Sequence, residues 1–159
     1  MNIKIVAVGK VKERYILQGI NQYLKRLQPY ARVEIIDVPE EKIIEKASPA
    51  EQKIAIKKEG EKILNKLDHY SYYVVLAVEG KSLSSEEFAL GLEKLALEGR
   101  GRITFIIGGA MGLSEEVKKK AHLLLSFSSM TFPHQLMRLI LLEQVYRAFK
   151  ITRNEPYHK

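Results

Sequence analysis

Apolar and polar positions along the chain alternate between two periods. Ile3-Lys4-Ile5-Val6-Ala7-Val8 is a β-branched run closed by Gly9, which reads as a buried strand. Over residues 12–28 the apolar positions are Tyr15, Ile16, Ile20, Tyr23, Leu24 and Leu27, which trace one helical face. Pro29 stops that helix, and Val33-Glu34-Ile35-Ile36-Asp37-Val38 reads as a second strand. Ser48-Pro49-Ala50-Glu51 is a helix start. Ser48 caps, Pro49 suits the first turn and Glu51 completes a capping box, so a helix is predicted to about Leu67. The charged segment 39–47 before it is expected to be mobile.

The alternation continues. Tyr72 to Val78 is a third strand, broken at Glu79-Gly80; Ser84-Ser85-Glu86-Glu87 opens a second capped helix, closed by Gly99. Ile103 to Ile107 is a fourth strand ending in Gly108-Gly109, and Ser114-Glu115-Glu116 starts a short helix. Leu123 to Phe127 is a fifth strand, and Pro133 opens a last helix to about Ile151. Strand and helix in strict alternation imply an α/β fold, a mainly parallel sheet with helices on both faces. No repeat or linker divides the chain, and 159 residues suit one domain. In such sheets ligands bind beyond the carboxyl ends of strands, so the loops that follow strands are the ones to examine.

Composition narrows the chemistry. The 159 residues are 46 % hydrophobic and 28 % charged, an ordinary globular mixture. There is no cysteine, which excludes disulfides, thiolate metal sites and cysteine nucleophiles. Four histidines without HxxxH or HExxH spacing argue against a metal site. The first residues run straight into a strand without a signal-like apolar region, and no apolar run approaches a membrane span, so a cytoplasmic protein is expected. The net charge is +7, from 26 basic and 19 acidic side chains. Nearly all of the excess lies in residues 117–159, where Lys118, Lys119, Lys120, Arg138, Arg147, Lys150, Arg153 and Lys159 face only Glu143 and Glu155. Such a segment commonly meets phosphates, as in nucleic acid, although a merely solvated basic surface has the same composition.

Three strand-end loops carry candidate chemistry. Gly108-Gly109-Ala110-Met111-Gly112-Leu113-Ser114 allows close backbone approach to a ligand. It lacks the GxGxxG and GxxxxGK[ST] phosphate patterns. Val78-Glu79-Gly80-Lys81 is the second loop. The third, Phe127-Ser128-Ser129-Met130-Thr131-Phe132-Pro133-His134-Gln135, brings hydroxyls and an imidazole to the start of the last helix. Each of the three, taken alone, reads equally as a turn. The last helix is apolar on more than one face, from Leu136 and Met137 through Leu139, Ile140, Leu141, Leu142, Val145, Tyr146, Ala148 and Phe149. A terminal helix of that kind points to burial against a second copy in a symmetric dimer. The tail Asn154-Glu155-Pro156-Tyr157-His158-Lys159 holds groups suited to stacking on RNA, but a terminal tail is expected to fray.

Four stretches together resemble a known family. They are Phe105-Ile106-Ile107-Gly108-Gly109-Ala110-Met111-Gly112-Leu113; Ser126-Phe127-Ser128-Ser129-Met130-Thr131-Phe132-Pro133-His134-Gln135-Leu136-Met137-Arg138; Glu143-Gln144-Val145-Tyr146-Arg147-Ala148-Phe149; and the ending Pro156-Tyr157-His158-Lys159. With Val6-Ala7-Val8-Gly9-Lys10 they are similar to the ribosomal RNA large subunit methyltransferase H family of the SPOUT superfamily, over the full length. The resemblance implies one domain over residues 1–159 with a trefoil knot in about 72–159, and a homodimer. It implies methyl transfer from S-adenosyl-L-methionine to N3 of a pseudouridine in a hairpin loop of 23S rRNA, within the assembled 70S ribosome. Carried over, the cofactor contacts are Leu76, Gly108, Phe127, Ser128, Ser129, Met130, Thr131 and Phe132. His134 is the candidate for proton handling or base orientation, and Arg147 for holding phosphate or a developing anion. Tyr157 and His158 would reach the target base from the partner chain. No metal and no membrane are implied. A SPOUT enzyme acting on tRNA and a non-catalytic ribosome-assembly factor remain as rival readings.

Overall fold

A computed structural model describes residues 1–158; Lys159 lies outside the described residues. The elements run β1 (Asn2–Val8), α1 (Arg14–Leu27), β2 (Arg32–Val38), α2 (Pro49–Leu64), β3 (Tyr72–Ser82), α3 (Ser85–Leu97), β4 (Arg102–Ile107), α4 (Glu115–Lys119), β5 (Leu123–Ser126) and α5 (His134–Thr152). The five strands form one sheet in the order β2-β1-β4-β3-β5, and every neighbouring pair is parallel. All five carboxyl ends therefore lie along one edge, as the alternation of elements predicts.

Strand side chains alternate between the two faces, and two apolar clusters result. Ile3, Ile5, Ala7, Val74, Ile103, Phe105 and Ile107 meet α1, α3 and α5 through Ile16, Ile20, Phe88, Leu92, Leu141, Leu142 and Val145. Val6, Val8, Val38, Val75 and Ile106 meet Ile63 of α2 and Val117 of α4. The helices thus cover both faces. α5 packs against both α1 and α3. A Cβ on Gly19 would come within 2.8 Å of Leu139 Cδ2, so a side chain there would oblige Leu139 to turn aside.

The local signals mostly hold. Ser84 and Glu87 form a reciprocal capping box. Gly99 adopts φ +76°, while its N–H and that of Arg100 close on Ala96 and Leu95 in a Schellman turn. The expected box at α2 is only half formed. Ser48 Oγ accepts from the Glu51 N–H, but no return bond from the Glu51 side chain accompanies it. The predicted break in the third strand is also wrong. β3 continues through Glu79 and Gly80 to Ser82, because residues 77–80 loop out as a bulge while Leu76 and Lys81 both register on Leu125. The charged segment before α2 has no helix or strand, yet it is tethered: the Glu41 N–H donates to Glu59 Oε2 at 2.9 Å, and Lys62 Nζ lies 2.7 Å from Glu41 Oε1.

Candidate active site

The three loops chosen from sequence converge on one cleft. It encloses about 790 Å³, including its open mouth, and is walled by Leu76–Glu79, Ile107–Gly109, Gly112, Leu113 and much of Leu125–Phe132. Glycine shapes two of its walls. A Cβ on Gly80 would lie 2.7 Å from the backbone of Leu124 and Leu125, and one on Gly108 would lie 3.0 Å from the Gly112 carbonyl. Ser128 shapes the third wall: its Oγ accepts from the Met130 N–H at 3.0 Å, and its carbonyl accepts from Ser126 Oγ at 3.0 Å. Of the predicted contacts, Leu76, Gly108, Phe127, Ser128, Met130, Thr131 and Phe132 line the cleft. Ser129 is exposed and is not among the lining residues, because the turn made by Ser128 carries it outward.

The walls are mostly apolar, with little ionic chemistry. Glu79 of the bulge and Lys118 of α4 pair at 2.6 Å, and Glu115 sits 3.6 Å from the same ammonium. The hydrogen bond between them holds the Glu79 carboxyl below its ordinary range and raises Lys118. A ligand with an apolar body and neutral hydrogen-bonding edges fits such a site. An adenine ring and a thioether-like chain have that character, so the residues present fit S-adenosylmethionine. Among the described residues no group of three or more His, Asp or Glu is placed to hold a metal.

His134 is the first residue of α5 and lines the cleft. One turn further on, the wholly buried Arg138 holds this helix start against the sheet. Its guanidinium donates to the Asp37 carboxylate and to the carbonyls of Val8 and Gly9. Sequence reading missed this residue; a lone arginine on an otherwise apolar helix face was the available signal.

Arg147, Tyr157 and His158 are elsewhere, gathered on Glu143. Arg147 donates to Glu143 Oε1 from Nε at 3.0 Å and Nη2 at 2.7 Å, and its guanidinium lies 4.8 Å from the Tyr157 ring centroid. Tyr157 Oη reaches the same carboxylate at 3.1 Å and Tyr23 Oη at 3.1 Å. Burial, with the neighbouring Tyr23 and Glu143, pushes its phenol well above the ordinary value. A guanidinium can only donate, so His158 Nδ1 accepts from Arg147 at 3.2 Å and His158 Nε2 is left to donate to Glu86 at 2.8 Å. None of these three residues lines the cleft of its own chain.

Over its described residues, 154–158, the tail is not frayed. Asn154 takes φ +53° just beyond α5, and the N–H groups of Asn154 and Glu155 close on Ile151 and Lys150. This is the turn that Gly99 makes in α3, with asparagine as the left-handed residue. Glu155 then binds Lys150 and accepts from Tyr30 Oη at 2.7 Å. Part of the basic excess of the C-terminal segment is also spent inside the fold. Lys118, Arg138, Arg147 and Lys150 are ion-paired with Glu79, Asp37, Glu143 and Glu155. The charge count could not show this, because Asp37 and Glu79 lie far away in sequence.

Glu59 is a second buried group that sequence missed. It is 3 % exposed; Oε2 accepts from Glu41, while Oε1 has no partner and faces Gly109. Burial raises its pKa, the Glu41 N–H opposes this, and the nearby Glu40 and Glu41 charges add to it. A folded pKa above the unfolded one stabilises below the unfolded value and is lost as pH rises through the folded value. Glu59→Gln should therefore match the wild type in acid and gain on it as pH climbs above about 4.5. Thermal melts across pH test this, and a difference constant with pH would refute it.

A family model described as "Predicted SPOUT methyltransferase" matches residues 1–158. The chain belongs to the SPOUT methyltransferase family. It is 57 % identical over all 159 residues, with full coverage of both chains, to the ribosomal RNA large subunit methyltransferase H of Bacillus cereus. The proteins of that name from Bacillus thuringiensis and Bacillus anthracis are equally similar. Among solved structures, a probable methyltransferase from Bordetella pertussis has a TM-score of 0.54 at 11 % identity, over 92 % of this chain and 95 % of that one. A ribosomal RNA small subunit methyltransferase E from Neisseria gonorrhoeae, bound to S-adenosyl methionine, has a TM-score of 0.50 at 13 % identity, over 96 % of this chain and 66 % of that one. At such identities these two structures establish the fold alone. No helix of the described residues is long and apolar enough to cross a membrane.

Proposed function

We infer that this protein methylates N3 of a pseudouridine in a 23S rRNA hairpin loop, on the assembled ribosome, with S-adenosylmethionine as donor. The observation that carries the reading is the convergence of three glycine- and hydroxyl-rich strand-end loops on one apolar cleft with His134 at its edge. Full-length similarity to large subunit methyltransferases H supplies the substrate class, and the SPOUT family supplies the donor and the proposed knot in the C-terminal half.

S-adenosylmethionine held in this cleft supplies a methyl on a cationic sulfur, which departs as a neutral thioether. The protein's share is to hold donor and acceptor in line and to manage one proton. Leu76, Gly108 and the stretch from Phe127 to Phe132 hold the donor. N3 lies between two carbonyls and carries a proton that must leave as the new N–CH3 bond forms. His134, facing the cleft from the start of α5, takes or orients that proton. Arg147, outside the cleft of its own chain, would steady phosphate or the anion that develops on the base only in the cleft of a second copy. N3 is also part of the pairing edge, so the target must be unpaired or flipped.

Tyr157 and His158 do not line their own cleft, which favours delivery to the cleft of a second copy in a homodimer. In α5 every residue is buried or half-buried within one chain, and its apolar side chains reach beyond the face that α1 and α3 cover.

The deciding experiment is transfer of tritiated methyl from S-adenosylmethionine to 70S ribosomes with and without the pseudouridine, to free subunits and to bulk tRNA. Incorporation confined to pseudouridine-bearing 70S particles is expected. Incorporation on tRNA would keep the donor and discard the substrate. Cofactor binding without transfer to any of these substrates would discard the rRNA acceptor as well.

A further inference from the structure

Half of the C-terminal cations are tied up in ion pairs, and a further group of cations borders the cleft from the other end of the chain. We propose that the β1–α1 loop, through Lys10, Lys12 and Arg14, is the rim that docks the phosphate backbone of the RNA strand entering the cleft. This inference rests on the RNA-methyltransferase reading above and assigns that activity a surface.

The loop leaves the carboxyl end of β1 directly beside His134. Gly9 turns there with φ +82°, and a Cβ at that point would lie 3.8 Å from His134 Nε2. The Lys12 N–H donates to Gln135 Oε1 at 2.9 Å, which ties the loop to the residue after His134. From beneath, buried Arg138 holds the carbonyls of Val8 and Gly9. The loop is therefore fixed at three points before any ligand arrives. The backbone that carries the cations thus loses little freedom on binding.

The cations of this loop are free to meet a polyanion. Lys10, Lys12 and Arg14 are all exposed, and none is in an ion pair among the described residues. Glu13 stands among them, and Glu40 Oε2 would lie 3.6 Å from a Gly9 Cβ. Three cations still outnumber these two carboxylates. Across the cleft, α4 offers exposed Lys119 and Lys120, but Glu115 and Glu116 share that helix and Glu79 occupies Lys118. With exposed Lys81 of β3, the opposite wall has four cations among the three carboxylates Glu79, Glu115 and Glu116, so net charge alone does not separate the two sides. What sets the β1–α1 side apart is that its cations stand on the loop tied to Gln135 and lying against His134, so a polyanion held there is led to the imidazole.

The test compares the triple variant Lys10→Ala/Lys12→Ala/Arg14→Ala with Lys119→Ala/Lys120→Ala. Both are assayed for methyl transfer to pseudouridine-bearing 70S ribosomes that lack the methyl group, over a salt series, with calorimetry of S-adenosylmethionine binding. The rim variant should keep its cofactor affinity and raise KM for ribosomes by about tenfold or more. It should also flatten the dependence of log affinity on log salt by about two to three. The α4 variant should resemble the wild type. A rim variant with unchanged KM and salt slope, or an α4 variant with the larger defect, would overturn the proposal. Should the wild type methylate no ribosome, the function reading falls; co-sedimentation of both variants with ribosomes across the salt series still decides the rim.

Discussion

Arg138→Ala should cost about 3 kcal/mol of stability, the low end for removing one partner of a buried ion pair. In a chain of this length that lowers the melting midpoint by roughly 6–12 °C. The low end applies because the Asp37 side chain is 42 % exposed, so solvent already screens part of the pair. The larger loss comes from the Val8 and Gly9 carbonyls, whose charged donor disappears. Arg138→Lys should recover only part of it. One ammonium cannot reproduce a planar fork reaching a carboxylate and two carbonyls. Asp37→Asn should cost less than Arg138→Ala, since the carbonyl contacts survive. Chemical denaturation of the three variants checks the order. Arg138→Ala within 1 kcal/mol of the wild type would show that the guanidinium merely fills space.

Arg138 also marks where sequence reading stopped. Local signals were legible: the capped start at Ser84, the left-handed Gly99 and the three strand-end loops depend on residues a few positions apart. The cleft followed, because a parallel sheet places all strand carboxyl ends on one edge. Long-range pairing was not legible. Arg138 meets Asp37 from 101 positions away, and composition counted both only as charges. The same blindness made the C-terminal excess look like a phosphate surface, when Glu79 and Asp37 neutralise part of it from distant strands. The bulge in β3 was hidden for a related reason. Glu79-Gly80 reads as a turn, and only β5, pairing on both sides of it, shows that the strand goes on. The tail seemed free because Asn154 is a rarer left-handed cap than glycine, and its anchors Tyr23, Tyr30 and Glu86 lie far up the chain.

Gly108→Ala should weaken S-adenosylmethionine binding at least tenfold while leaving the chain folded. The added methyl would sit 2.9 Å from Leu113 Cγ and 3.0 Å from the Gly112 carbonyl. Leucine can turn aside, but the Gly112 backbone cannot do so without moving the loop that walls the cleft. Overpacking of this kind costs about 1–3 kcal/mol. In a surface loop the strain is relieved by displacement, so the loss falls on the ligand site more than on the fold. Gly99→Ala separates this effect from a general intolerance of side chains at glycine. Gly99 has φ +76° and open space where its Cβ would be, at the end of α3 and outside the cleft lining. That substitution should cost about 1 kcal/mol of stability through its backbone strain and leave cofactor affinity unchanged. Calorimetric titration paired with thermal melts distinguishes the two variants. Gly108→Ala binding within twofold of the wild type would mean that the donor does not rest against this loop, and the cofactor assignment would then have to move to the walls made by Leu76 and Phe127–Phe132.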